Sequence, residues 1–257
     1  ARILYSTPFR RTQRTRSGFI VDGAGETRYL VGADGPNSKL ARVLGLGQNR
    51  EHLFGVEYEY AGVELPDSGK LHCFIDRKIA PGYIGWVVAG VGVTQVGLGR
   101  RVRDAQPPAT AALGAFLEKI APVVDLRRVQ PVSSRAGMIP CGGVVQPVAA
   151  SRVLLVGDAA GMVSPVTAGG IHTALKHGLA AGHAIADFLG GKTEDPSGWF
   201  VRSYPRFRAK RCLRFLYDHF QSDVAFNALL GTRPMRLAAG AVYFHHLGVF
   251  DGRAPKA

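Results

Sequence analysis

The chain has 257 residues, 46% hydrophobic and 20% charged, which is an ordinary globular composition with room for a sizeable core or two. Its net charge of +13 invites a nucleic-acid or anionic-membrane reading, but the basic clusters at Arg10–Arg16 and Arg206–Arg214 carry no nucleic-acid motif around them, so nucleic acid is disfavoured and a phosphate-bearing cofactor or a membrane surface stays open. Cys73, Cys141 and Cys212 are too far apart for a CxxC or metal spacing, which points to reduced thiols and a cytoplasmic setting, with peripheral membrane contact left open.

Phe19–Val21, the turn Asp22–Gly25 and Thr27–Val31 predict a β-hairpin. Its second strand ends at Gly32-Ala33-Asp34-Gly35-Pro36-Asn37-Ser38, and a short helical pattern through Leu40, Val43 and Leu44 follows. From Phe54 to Gly99 the signal is β throughout: alternation at Val56–Tyr60, a short apolar run at Leu71–Ile75, then Ile84–Val93 and Gln95–Leu98. The most apolar stretch, Tyr83–Gly99, is broken by Thr94, Gln95 and five glycines, so it predicts strands and no membrane span. Pro107–Val124 reads as an amphipathic helix with Leu113, Phe116, Leu117 and Ile120 inward, and Val129–Ile139 as extended. The last third predicts helices over Gly169–Leu189, Trp199–Gln221 and Ala225–Phe244.

Val153-Leu154-Leu155-Val156 runs into Gly157-Asp158-Ala159-Ala160-Gly161, followed by Pro165 and the pair Gly169-Gly170. An apolar run ending at Gly-Asp predicts a buried strand that stops in a tight turn. The helix after it begins with a first turn almost free of side chains. Such a terminus offers unpaired N–H groups and the positive end of the helix dipole to a ligand oxygen. Asp158 suits a ribityl or ribose hydroxyl, and the amides around Gly169, Gly170 and Ile171 suit an oxygen that gains negative charge. An isolated Gly-Asp would be only a strand-to-helix turn. Here Asp34-Gly35 and Gly157-Asp158 recur in matched contexts, which favours a binding role. Ala174, Gly178 and Ala181 form a small-residue stripe fit for close packing on a sheet, whereas His172, Lys176 and His183 are expected on a solvated face away from Leu175, Leu179 and Ile185.

Tyr29–Ser38 resembles the DG motif of FAD-dependent monooxygenases and geranylgeranyl reductases, and Val153–Gly161 with Pro165, Gly169 and Gly170 resembles their second FAD motif. The resemblance covers about Ile3 to Leu189. It implies an α/β (mixed α+β) fold with a partial FAD-binding Rossmann-like domain at 1–50 and 145–190, an inserted antiparallel β-rich substrate domain at 51–144, and a C-terminal helical region at 191–257. It implies Asp34 near the FAD ribose–pyrophosphate, Asp158 at the ribityl chain and Gly169-Gly170 facing the flavin, with Gly35, Gly157, Gly161, Pro165 and Ile171 among the cofactor-binding residues. Aromatic hydroxylases of this superfamily usually carry His where Gly161 stands. Pro81-Gly82-Tyr83-Ile84-Gly85-Trp86 is similar to the aromatic sheet segment of geranylgeranyl reductases, making Tyr83 and Trp86 candidate substrate contacts, or else core aromatics. The Phe-Pro that usually follows is Val87-Val88 here.

The activity implied is transfer of a hydride from reduced FAD to an unsaturated lipophilic substrate, with NAD(P)H as donor. The alternatives are an FAD-dependent monooxygenase, or a non-catalytic basic module bound to membrane or nucleic acid. The family's opening G-x-G-x-x-G turn has no counterpart, since Gly90-Val91-Gly92 and Gly97 have the wrong spacing. That turn is expected from the remainder of a longer protein or from a separate chain, and the stretch alone is expected to hold FAD weakly. No catalytic acid is nominated. His245-His246 lacks the further ligands a metal site needs, so no metal is expected.

Overall fold

The computed structural model describes residues 2–102 and 108–220 and scattered positions between 222 and 240. The third expected helix, Ala225–Phe244, lies largely outside the described residues, and His245-His246 lies wholly outside them. The chain divides into two compact units, one of residues 1–55 with 137–214, the other of 56–136 with 215–257. The chain passes from the first to the second within one strand and returns within another. Residues 191–214, expected in a separate C-terminal region, group with the first unit.

The first unit opens with three short antiparallel strands, β1 (Thr12–Arg14), β2 (Phe19–Val21) and β3 (Gly25–Thr27). The expected hairpin is thus shorter than its apolar pattern, because Leu30–Gly32 leaves it to form β4 in a different sheet. Helix α1 (Lys39–Val43) follows. Part of the basic excess here is structural: Arg14 lies over the Phe19 ring at 5.1 Å and donates to the Ser151 carbonyl.

Strand β5 (His52–Ala61) leads into the second unit, where β6 (His72–Phe74), β7 (Gly85–Ala89) and β8 (Val93–Arg101) form a sheet with it and with β9 (Ser133–Pro140), in the order β6-β7-β8-β5-β9. One face of the sheet is covered by α2 (Ala109–Ile120), which buries Leu113, Phe116 and Ile120 as the amphipathic pattern requires. Phe116 rests on Gly85, where a Cβ would come within 2.5 Å of the ring. On the opposite face Trp86 lies against Gly97 and Tyr83 against Gly99, at 2.4 and 2.6 Å from the missing Cβ positions.

Back in the first unit, β10 (Ala149–Ala150) and β11 (Val153–Leu155) complete a small sheet in which β11 runs parallel to β4, pairing Leu154 with Val31. Val153, Leu154 and Leu155 are fully buried, so each aliphatic side chain contributes about 2 kcal/mol of burial. A 3-10 turn at Gly157–Ala160 then leads to α3 (Ile171–Leu189). The expected Trp199–Gln221 helix is broken. A short α4 (Pro196–Trp199) passes into a 3-10 turn at Phe200–Ser203, and α5 (Arg208–Phe220) starts only after Pro205, whose missing N–H cannot continue a helix.

The face buried by α3 also differs from expectation. His177, Ala181 and Ala184 are buried, while Ile171, Leu175 and Leu179 are 81%, 71% and 66% exposed. The small-residue stripe packs, since small side chains let the helix approach the turn at Gly157 closely, and the bulkier stripe is left outside in this chain. Lys176, His172 and His183 are exposed as expected. His177 instead sits between the Phe200 and Tyr204 rings, and it and Ser203 Oγ are 3.0 Å apart through Nε2.

Candidate FAD site

The site is built in the first unit from the two loops that follow the parallel strands β4 and β11. After β4, Asp34 accepts hydrogen bonds from Ser38 Oγ at 2.6 Å and from the Leu40 amide at 3.0 Å, while Ser38 Oγ accepts from the Ala41 amide. The Asp34 carboxylate therefore shapes the start of α1. Gly35 beside it has φ +82 and open space where a side chain would stand, so backbone is presented at that corner.

After β11, the loop is held from several sides. Gly157 has φ +57, and its carbonyl accepts from the Met162 amide. Gly161, buried with φ +69, lies against the Gly143 carbonyl, 2.3 Å from where a Cβ would be. Ser164 closes the next turn: its carbonyl accepts from Ala168 N, its amide donates to the Gly169 carbonyl, and Pro165 is buried between them. Gly170 packs on Val163, where a Cβ would clash at 2.9 Å, whereas the space at Gly169 is nearly open.

Two features fit this surface to a polyhydroxylated, negatively charged ligand. The Asp158 side chain has no partner among the described residues, and burial pushes its carboxyl above the ordinary value. It is a half-buried acceptor waiting for donors, and hydroxyl groups would supply them and favour its ionised form. The start of α3 has no side-chain cap, and the first helical bond is Ala174 N to Gly170 O. The amides of Gly170, Ile171, His172 and Thr173 thus have no partner among the described residues. A free carboxylate next to a bare helix start matches the hydroxyl-bearing and anionic parts of a flavin dinucleotide.

A profile of the FAD binding domain matches residues 14–211. The chain belongs to the FAD-binding-domain family. Among the curated relatives of this FAD-binding chain, the digeranylgeranylglycerophospholipid reductase of Methanocaldococcus jannaschii is 31% identical over 210 residues, covering 79% of this chain and 53% of that protein. Digeranylgeranylglycerophospholipid reductase 2 of Methanopyrus kandleri is 33% identical over 191 residues, covering 71% and 48%. The chain spans about half the length of these curated relatives. Among solved structures, a geranylgeranyl bacteriochlorophyll reductase-like protein from Thermoplasma acidophilum superposes with a TM-score of 0.74 at 19% identity, covering 93% of this chain and 67% of the other. The aromatic hydroxylase CabE superposes at 0.55 with 21% identity, over 91% and 52%. At these identities the structures show a shared fold.

The loop after β11 and the start of α3 bring together Gly157, Asp158, Gly161, Pro165, Gly169, Gly170 and Ile171 within one strand–turn–helix segment. Tyr83 and Trp86 belong to the other unit. Tyr83 is 7% exposed with its ring lying over Gly99; Trp86 is half-buried and its indole N–H donates to Glu57 at 2.8 Å. The polar face around Trp86 was not visible in sequence: Glu57 and Glu59 alternate along β5, Gln95 donates to Glu59, and Arg135 contacts both carboxylates. Only the period-two spacing of Glu57 and Glu59 hinted at it.

Proposed function

We propose that the protein is an FAD-dependent reductase of the geranylgeranyl reductase type, in which NAD(P)H is the electron donor and a carbon–carbon double bond of a lipophilic, isoprenoid-like substrate is reduced. The reading rests on sequence likeness: the relatives at 31% and 33% identity carry reductase names. When bound, FAD supplies a two-electron carrier that accepts a hydride from one molecule and hands it to another. The chain's own groups do the holding. Asp158 accepts hydroxyls of the ribityl chain, Gly157 and Gly161 keep side chains out of its path, and Pro165 with Ser164 fixes the turn below it. Gly170 and Ile171 turn amide donors and the positive end of α3 toward the flavin, with Gly169 leaving open space beside them, worth about 0.3–1 kcal/mol toward negative charge on a facing oxygen. Asp34 fixes the neighbouring loop, and Gly35 offers open backbone to the ribose–pyrophosphate part.

Trp86 supplies an apolar, half-exposed ring for the substrate, held by Glu57, with Tyr83 supporting its strand. A peripheral membrane contact fits the net charge of +13 and the exposed Leu216 and Phe220 at the end of α5. No described helix is long and apolar enough to cross a membrane.

The test is turnover of full-length protein with FAD, NADPH and an unsaturated isoprenoid lipid. Anaerobic product that gains two hydrogens per double bond, one as hydride and one as proton, is the expected result. Substrate-dependent oxygen consumption with an oxygenated product would overturn reduction in favour of hydroxylation.

A further inference from the structure

Between α1 and β5, Asn49 joins the two Gly-Asp loops. Its amide nitrogen donates to the Pro36 carbonyl at 2.9 Å and to the Asp158 carbonyl at 2.9 Å. Pro36 belongs to the first loop and Asp158 to the second, so both hydrogens of one amide are used to hold two loops that lie more than a hundred residues apart in sequence. The amide oxygen faces Gly161, where a Cβ would lie 2.8 Å from it. Asn49 is itself anchored on both sides: the Gly47 amide donates to the Pro147 carbonyl at 2.8 Å, and the Cys141 amide donates to the Glu51 carbonyl at 2.9 Å. Gly47 can sit there only as glycine, since a Cβ would meet the Gln146 backbone at 2.5 Å. The clamp therefore cannot follow one loop away from the other.

We propose that Asn49 is a positioning residue for FAD, setting the separation of the two loops that hold the cofactor and requiring glycine at position 161. The proposal rests on the family assignment of FAD as the ligand. The residue type follows from the geometry. Two carbonyls need two donors from one planar group, which the amide nitrogen supplies. Aspartate at the same size would aim an acceptor at two acceptors, and alanine leaves both carbonyls without this donor. Ordering the loops before the ligand arrives lowers the ordering cost at binding.

The test compares full-length wild type with Asn49→Asp and Asn49→Ala. FAD dissociation constants come from quenching of flavin fluorescence, and folding of the FAD-free protein is followed by thermal melting. At pH 8, each variant is expected to bind FAD roughly tenfold more weakly, as the loss of two hydrogen bonds to the loops implies. The pH dependence separates positioning from general damage. An aspartate at 49 would face two carbonyl oxygens, which disfavour its charged form and raise its pKa above the ordinary carboxylate value. As pH falls from 8 towards about 5 its protonated form regains one donor, so the Asn49→Asp deficit relative to wild type shrinks while the Asn49→Ala deficit stays constant. Variants that bind FAD as wild type does, or deficits that move together with pH, overturn the proposal while leaving FAD as the ligand intact. A wild-type protein that does not bind FAD overturns it together with the assignment it rests on.

Discussion

Replacing Gly161 with alanine should be among the most damaging single-methyl changes in the first unit. Two costs add. The backbone at 161 has φ +69, a left-handed conformation that costs an alanine about 1–2 kcal/mol relative to the right-handed regions. The new methyl would also lie 2.3 Å from the Gly143 carbonyl oxygen and 2.8 Å from the Asn49 side-chain oxygen. The first of these is backbone, itself tied down because the neighbouring Val145 amide donates to the Ala160 carbonyl, so relief demands movement of the loop. Forcing a methyl into such a space typically costs about 1–3 kcal/mol. The sum, about 2–5 kcal/mol, corresponds to a fall in melting temperature of roughly 10 °C for a protein of this size. Differential scanning calorimetry of the FAD-free protein measures it, and FAD titration should show weakened binding in parallel as Asn49 is pushed aside. A Gly161→Ala protein that melts within about 2 °C of wild type and binds FAD equally well would refute the argument, since neither the backbone conformation nor the close approach could then hold.

Two other outcomes follow from groups in the same unit. Burial lowers the His177 pKa below its ordinary value, and Ser203 Oγ donates to the Phe200 carbonyl, leaving its oxygen to accept from Nε2–H while Nδ1 is buried without a hydrogen bond among the described residues. The folded state thus prefers the neutral ring: its stability contribution is complete above the unfolded value of 6.5 and is lost as pH falls below it, at up to about 1.4 kcal/mol per pH unit. Urea melts between pH 7 and 5 should show this slope, and His177→Gln should flatten it. Asp195 caps α4 and accepts from the Ser197 and Arg152 amides and the Tyr29 hydroxyl. Burial raises its pKa, but these hydrogen bonds outweigh that and leave it below the ordinary value, so Asp195→Ala should cost about 1–2 kcal/mol in melts at neutral pH. That loss should vanish as acid takes the wild type through its own lowered pKa, and a variant as stable as wild type at pH 7 would contradict the cap.

Much of the fold and the glycine-rich part of the site was legible because it rests on local rules. The apolar run at Val153–Val156 followed by Gly-Asp could hardly be anything but a buried strand and a turn, and the uncapped start of α3 was readable from Gly169-Gly170 alone. The misreadings share a physical origin. The side of α3 that carries Leu175 and Leu179 is exposed, whereas close packing buries His177 and Ala184 beside the expected Ala181. Pro205 was in plain sight, but the apolar pattern on either side of it read as one helix. Asn49 carried no signal. A lone asparagine in a connecting stretch becomes a clamp only when the fold carries two distant carbonyls to it, and no local pattern records that.

The aromatic rings seated on Gly85, Gly97 and Gly99 have a consequence for how the larger sheet chooses its pairing. β7 and β8 place Trp86 opposite Gly97. A slip of one residue would set it opposite Val96 or Leu98 and turn its ring toward the side where Phe116 already fills the space over Gly85. The strands are thus keyed by holes as much as by bulk: each glycine is a socket that accepts one ring, and rings and sockets match in only one alignment. A sheet keyed in this way resists mispairing even where its short strands offer few hydrogen bonds to specify it.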